Sequence, residues 1–458
     1  MSDARHEAAW REGSIATKGV QALLLRGGEV AAQAGLIVIT ARFLGPDGRG
    51  LYALALLAAT LCVVPLGSVW SALALDVAKH RIDTGRVVTM ALVFAGVGGA
   101  VVAVIGVAVS IAFDDRWWVV ALPAAITPVL LFLAYAQGVY QALGHVVAAN
   151  AINVARAASP LVFLAGGLAL GAGSRVVVLL WAASMLVLAP PFLLHLSAVA
   201  GRPSRPSLRL RPYMLRLALG MRLLPGNTAL LLNVRVGLIV LAALSTTAAV
   251  GVYSVAVAGA ELLRVASRAV YSATFAAIGG RDEDASAALA VKAVRHSMLL
   301  AAVSSVLIVP ASFVAAPILF GPGFGDVPLL LALLVPANIA FALFPALTAF
   351  FGVQLVRPEL VSGATALMLG LSAIAMFAAV PVLGNAGAAL ATSTGAVVGV
   401  GYLVRRFLRA TGRPLRDLAP TAADLREYVR LAARLSPGLR TSSASRGAAH
   451  AVGKVPPA

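Results

Sequence analysis

The sequence predicts an all-α, polytopic membrane protein, with about twelve transmembrane helices in two parallel six-helix bundles around a central cavity. Three observations predict it. Hydrophobic residues make up 60% of the 458 residues and charged residues 12%, with a mean hydropathy of +0.93. A soluble domain is about a quarter charged, and a lipid-facing surface accounts for the deficit. The apolar residues also gather into uncharged runs of about 20 residues or more, too long for barrel strands. Finally, a Pro/Arg-rich link, GRPSRPSLRLRPY at 201–213, leaves six runs on either side. An even number per half gives both halves one orientation, related by a pseudo-two-fold axis along the membrane normal.

In order, the expected spans are 17–42, 50–76, 87–112, 117–141, 146–170, 176–199, 213–243, 248–277, 293–319, 326–351, 358–381 and 384–407. The first bundle is placed at 17–200 and the second at 213–408. A cytoplasmic tail (1–16), a cytoplasmic linker (201–212) and a basic, partly disordered tail (409–458) complete the chain. Within that last tail, Ala422 to Leu435 reads as a surface helix. Residues following it are mostly small, without the apolar content a packed core requires. Charges at Arg26 and Glu29 inside the first run, after a polar start, argue against a cleavable signal peptide.

A net charge of +18 raises the question of nucleic acid, and its distribution answers it. Lys79, Arg81 and Arg86 follow the second span. Arg202, Arg205, Arg209, Arg211 and Arg216 surround the central link, and the tail from Arg405 to Lys454 is basic. All fall on one side if the spans alternate. The other side has Asp47, Arg49, Asp114, Asp115, Arg116, Arg175 and Asp326. The positive-inside rule then places both termini in the cytoplasm. Basic links also suit anionic membrane lipids, although topology alone explains them.

The chemistry of soluble enzymes is poorly represented. The six histidines are scattered, without metal-ligand spacing. No phosphate-binding loop of the G-x-x-x-x-G-K-[ST] type is present, and the short links leave no room for an inserted catalytic domain. Cys62 is the only cysteine, which excludes an intrachain disulfide and fits a packing role. The expectation is a non-enzyme without a cofactor, with ion coupling open and the ion unknown.

A weak repeat supports the two halves. Gly35-Leu36-Ile37-Val38 recurs as Gly237-Leu238-Ile239-Val240, and Gly50-Leu51-Tyr52 as Gly251-Val252-Tyr253, in the same order.

Polar residues inside spans are costly in lipid and mark bundle interiors or water-filled routes. In the first span Arg26, Glu29 and Gln33 share a helical face. Arg26 and Glu29 can pair, either pinning the helix or lining a cavity. Asn150, Asn153 and Arg156 form a stripe on the fifth span, which faces a cavity or else lets Arg156 reach outward. The seventh span carries Arg222, Asn227, Asn233 and Arg235 around Pro225-Gly226, an expected break. In the eighth, Glu261 can pair with Arg264, and Arg268 follows one turn later. Gln137, Tyr140 and Gln141 line the fourth helix or anchor its end. Trp117 and Trp118 read as an interfacial anchor.

The passage ARFLGPDGRGLYALAL at 41–56, after a polar first span, resembles bacterial polysaccharide flippases of the multidrug/oligosaccharidyl-lipid/polysaccharide exporter superfamily. FGPGF at 320–324 adds a weaker match. The resemblance spans about residues 15–410. It implies a monomeric flippase of the bacterial inner membrane that moves polyprenyl-pyrophosphate-linked oligosaccharide through a cavity between two bundles. Polysaccharide assembly enzymes are the implied protein partners. Gly45, Pro46, Gly48 and Gly50 match a tight external turn with a structural role. On this reading Arg235, Arg264, Arg26 and Arg156 are the candidate substrate-binding residues, Arg235 foremost, because guanidinium binds pyrophosphate through directed hydrogen bonds. A multidrug exporter of the same superfamily and a membrane glycosyltransferase or polymerase are the competing readings.

Overall fold

The computed structural model describes residues 12–78, 83–201, 203–206, 209–264, 267, 270, 282–355 and 357–435. Arg268, the end of the eighth expected span and the tail beyond 435 lie outside these. Among the described residues every regular element is helical. Seven helices are individually long and apolar enough to cross a membrane, and an eighth span forms if one bent pair is counted together.

The two longest helices each account for two expected spans. α1 (Glu12–Gly67, 56 residues) turns at Gly45, where φ is 66° and ψ is −176°, a left-handed conformation that an L side chain resists. Pro46 then supplies no N–H. The turn is sharp, because Arg49 Nη1 reaches Thr40 Oγ1 at 2.9 Å. Nine residues along a straight helix would separate their backbones by about 13 Å. After a break at Ser68, α2 (Val69–Ala78) finishes the second span.

α3 (Thr84–Val93) and α4 (Gly99–Ser110), joined by a widened helical turn at Phe94–Gly98, make the third span. α5 (Trp118–Ala125) and α6 (Thr127–Ala142) make the fourth, bent by 49° where Pro123 and Pro128 flank Ile126. α7 (Val146–Ala169), α8 (Ser174–Ala200), α9 (Arg211–Leu244), α10 (Thr247–Leu263) and α11 (Glu283–Phe320) follow. The tenth span is α12 (Val327–Leu333) with α13 (Val335–Ala349). α14 (Pro358–Thr411, 54 residues) turns at Gly384, φ 54°, and holds the last two spans. Its limbs lie antiparallel: a Cβ on Gly395 would meet Ser372, and one on Gly399 would lie 2.8 Å from Met368 Cβ. Glycine at both positions lets the limbs approach this closely. α15 (Ala422–Leu435) is the expected surface helix.

One apolar core draws on residues from Tyr52 to Tyr213. A second is built around α10, α12 and part of α14, and takes in Ala41, Ala53 and Leu57 of α1. A third joins α11, α13 and both the start and the end of α14. α9 begins in the first core at Tyr213 and ends in the second at Leu241. It is helical throughout, so the expected break at Pro225-Gly226 does not divide it. The preceding backbone continues as helix around the one hydrogen bond that proline lacks.

Candidate functional site: a cavity between the halves

A cavity of about 780 Å³ lies where α1, α2, α6, α7 and α8 face α9 and α10. One stripe supplies much of its wall: Arg49, Tyr52, Ala53, Leu56, Leu57, Thr60, Val63, Val64 and Gly67 recur at helical spacing along the second limb of α1. The first limb adds Glu29, Gln33, Leu36 and Ile37. Asn153 and Arg156 come from α7, Thr228 and Arg235 from α9, and Ser254 and Glu261 from α10. Three guanidinium groups, Arg49, Arg156 and Arg235, therefore share one cavity with two carboxylates, Glu29 and Glu261.

The expected polar stripes are only partly brought together. Arg156 and Arg235 line the cavity, as does Asn153. Arg26 Nη1 pairs with Glu29 Oε2 at 2.9 Å, and Gln33 Nε2 donates to Glu29 Oε1 at 3.1 Å. Glu29 and Gln33 line the cavity, whereas Arg26 does not and acts through that pair. Arg264 also stands outside the lining residues, with its guanidinium 5.0 Å from the centre of the Phe341 ring. Asn233 is buried and donates to the Thr365 carbonyl at 3.0 Å, a link from α9 to α14. Tyr140 is buried against His195, 2.7 Å from its Nδ1, which makes it part of the packing of the first half.

Arg49 is the lining arginine that the sequence reading missed. Counted with Asp47 among the charges of the outer side, it sits at the start of the second limb, 5% exposed. Its guanidinium carbon lies 5.5 Å from the Tyr52 ring centre. The signal was present: Arg49 begins the same i, i+3, i+4, i+7 stripe that lines the wall. Arg49 Nε, Tyr52 Oη and Thr228 Oγ1 are buried without a hydrogen-bond partner among the described residues. Buried polar groups ordinarily have partners, and all three of these residues line the cavity.

At one end the halves close through a reciprocal contact. A Cβ on Gly50 would overlap the Thr247 carbonyl, and one on Gly251 would overlap the Pro46 carbonyl. Each glycine thus packs on the residue four before its counterpart, the pattern a two-fold axis produces. Asp47 accepts a hydrogen bond from Thr247 Oγ1 at 2.7 Å beside it. The repeated Gly50-Leu51-Tyr52 and Gly251-Val252-Tyr253 therefore mark the axis itself. At the other end Arg216 Nε of α9 pairs with Asp76 Oδ2 of α2 at 2.9 Å. A Cβ on Gly220 would lie 2.9 Å from the Val69 Cα.

Two helical halves about one axis, with a cavity between them that charged side chains share with apolar ones, define the class: a two-lobed, polytopic membrane protein with the architecture of parallel-repeat transporters. Neither a protein-family profile nor a curated protein sequence matches the chain. Solved structures do. A lipid II flippase MurJ in an inward closed conformation superposes with a TM-score of 0.63 at 12% identity, over 88% of this chain and 89% of that one. An inward-facing multidrug resistance MATE family transporter gives 0.59 at 17% identity, over 85% and 94%. A Vibrio cholerae MATE transporter gives 0.53 at 13%, over 88% and 99%. The chain has the fold of the multidrug/oligosaccharidyl-lipid/polysaccharide exporter superfamily.

Proposed function

We propose that the protein is a flippase that carries polyprenyl-pyrophosphate-linked oligosaccharide across the bacterial inner membrane by alternating access. The observation that carries this reading is the convergence of Arg49, Arg156 and Arg235 on one cavity at the axis between the halves. Arginine is the side chain best suited to phosphate oxygens, and three of them outnumber the two carboxylates. A wet cavity lets the glycan keep its water contacts while the prenyl tail stays in lipid. No covalent bond changes, so the reading needs no catalytic residue.

A second reading has its own support. Glu29 and Glu261 also line the cavity, and one of the structural neighbours is a multidrug resistance MATE family transporter. Carboxylates of this kind suit cationic drugs. Proteoliposomes given labelled pyrophosphate-linked glycolipid and, separately, cationic drugs decide between the two. The flippase reading expects glycolipid movement roughly ten-fold or more above empty vesicles. Drug movement without glycolipid movement overturns it.

The orientation is tested by cysteine labelling in a Cys62→Ala background. Probes at Asp83 and Arg205 are expected to be protected from an impermeant external reagent. Gly48 is unsuitable as the external site, because a Cβ there would lie 2.8 Å from Leu44 Cβ and Ser174 Oγ. Leu170, 90% exposed between α7 and α8, replaces it and is expected to label. External labelling at Arg205 reverses the orientation.

A further inference from the structure

α15 meets the rest of the protein with its acidic side. Arg295 Nε of α11 donates to Asp424 Oδ2 at 2.9 Å, Lys292 Nζ pairs with Glu427 Oε1 at 3.4 Å, and His296 Nδ1 lies 3.0 Å from Tyr428 Oη. Burial opposes the charge on Asp424, yet the Thr421 N–H and the Arg295 guanidinium outweigh it and hold the carboxyl below its usual range. The helix is therefore fixed by charge, at the first turns of the ninth span.

Its remaining side carries leucine and arginine together. Leu425 is 48% exposed, and Arg426 and Arg430, one turn apart, are exposed with it. Just before the helix, Leu415 is 64% exposed next to Arg416. Arg405, Arg406 and Arg409 are exposed on the last turns of α14. A soluble amphipathic helix turns leucine inward and its charges outward, whatever their sign. Here Asp424 is turned inward, while Leu425, Arg426 and Arg430 are left outside together with Glu427.

We infer that this face, Leu415 to Arg430, is a docking surface for anionic phospholipid headgroups. Level and charge argue for that occupant. Lys292 to His296 stand at the start of one span, and Arg405 to Arg409 at the end of another. On the membrane placement used above, both mark the same headgroup plane. Exposed leucines enter the acyl boundary there, while arginine guanidinium groups bind headgroup phosphates. Glu427 is paired with Lys292 at 3.4 Å, and the exposed arginines outnumber it.

The test uses the full chain in lipid nanodiscs, with an environment-sensitive fluorophore at Leu425→Cys in a Cys62→Ala background. Discs contain phosphatidylcholine alone or with phosphatidylglycerol, and brominated lipid serves as quencher. Quenching is expected with phosphatidylglycerol and is lost at about 1 M salt, where screening shortens to about 3 Å. The pair Arg426→Gln and Arg430→Gln is expected to raise the phosphatidylglycerol requirement roughly ten-fold. Because both arginines are exposed, folding is unaffected, and transport-cavity chemistry is not involved in the readout. Equal quenching in both lipids, no quenching in either, or an unchanged requirement in the double variant overturns the inference. A fluorescence shift that follows protein density and ignores lipid charge assigns the face to a second copy, and overturns it too.

Discussion

Arg235→Gln is expected to lower transport of pyrophosphate-linked cargo by roughly 10- to 100-fold per inserted molecule. The magnitude is that of one charge-assisted hydrogen-bonded contact, about 1.5–3 kcal/mol. Arg156→Gln and Arg49→Gln act in the same direction, since all three line the cavity. Lysine at Arg235 keeps the charge but loses the planar fork, and is expected to give an intermediate rate. The same change at Arg264 has a smaller effect on cargo, because its guanidinium rests on Phe341 outside the lining. Arg26→Gln works indirectly, by releasing Glu29. Binding of matched neutral and pyrophosphate-bearing lipids separates these outcomes. If Arg235→Gln weakens both lipids equally, or neither, the anion-binding role is wrong.

The second large effect is steric. Gly251→Ala places a methyl group against the Pro46 carbonyl and 2.9 Å from the Gly50 nitrogen. Backbone on both sides cannot give way as a flexible side chain would, so the halves must part at this end. Overpacking of this kind costs about 1–3 kcal/mol, which depletes the closed arrangement roughly 5- to 100-fold. Transport should fall correspondingly, while Thr228→Cys in the cavity becomes more reactive from that side. Gly166→Ala is the control, as its Cβ meets nothing within 4 Å. A Gly251→Ala protein that transports and labels like the parent contradicts the closure.

The fold was readable in the sequence because lipid imposes a simple rule. Spans must be long, apolar and internally hydrogen-bonded, and the helices fall where those runs lie. The axis was readable too, since a glycine required for backbone contact recurs in both halves. The lining of the cavity was harder to read. Arg156 and Arg235 betrayed themselves by depth within a run. Arg49 did not, because the Gly45-Pro46 turn hides how early the second limb begins. Arg264 looked equally deep, but a local stripe of polar residues cannot say whether the cavity or a neighbouring ring, here Phe341, receives the side chain. Pro225-Gly226 looked like a break, yet a helix held in two cores at its ends stays helical through it.

A structure of the protein with a polyprenyl-pyrophosphate oligosaccharide bound tests the central claim most directly. The account predicts pyrophosphate oxygens within hydrogen-bonding distance, about 2.7–3.0 Å, of Arg49, Arg156 or Arg235, with the glycan in the cavity. A cargo headgroup bound elsewhere, with those three arginines making no contact to it, would contradict the account.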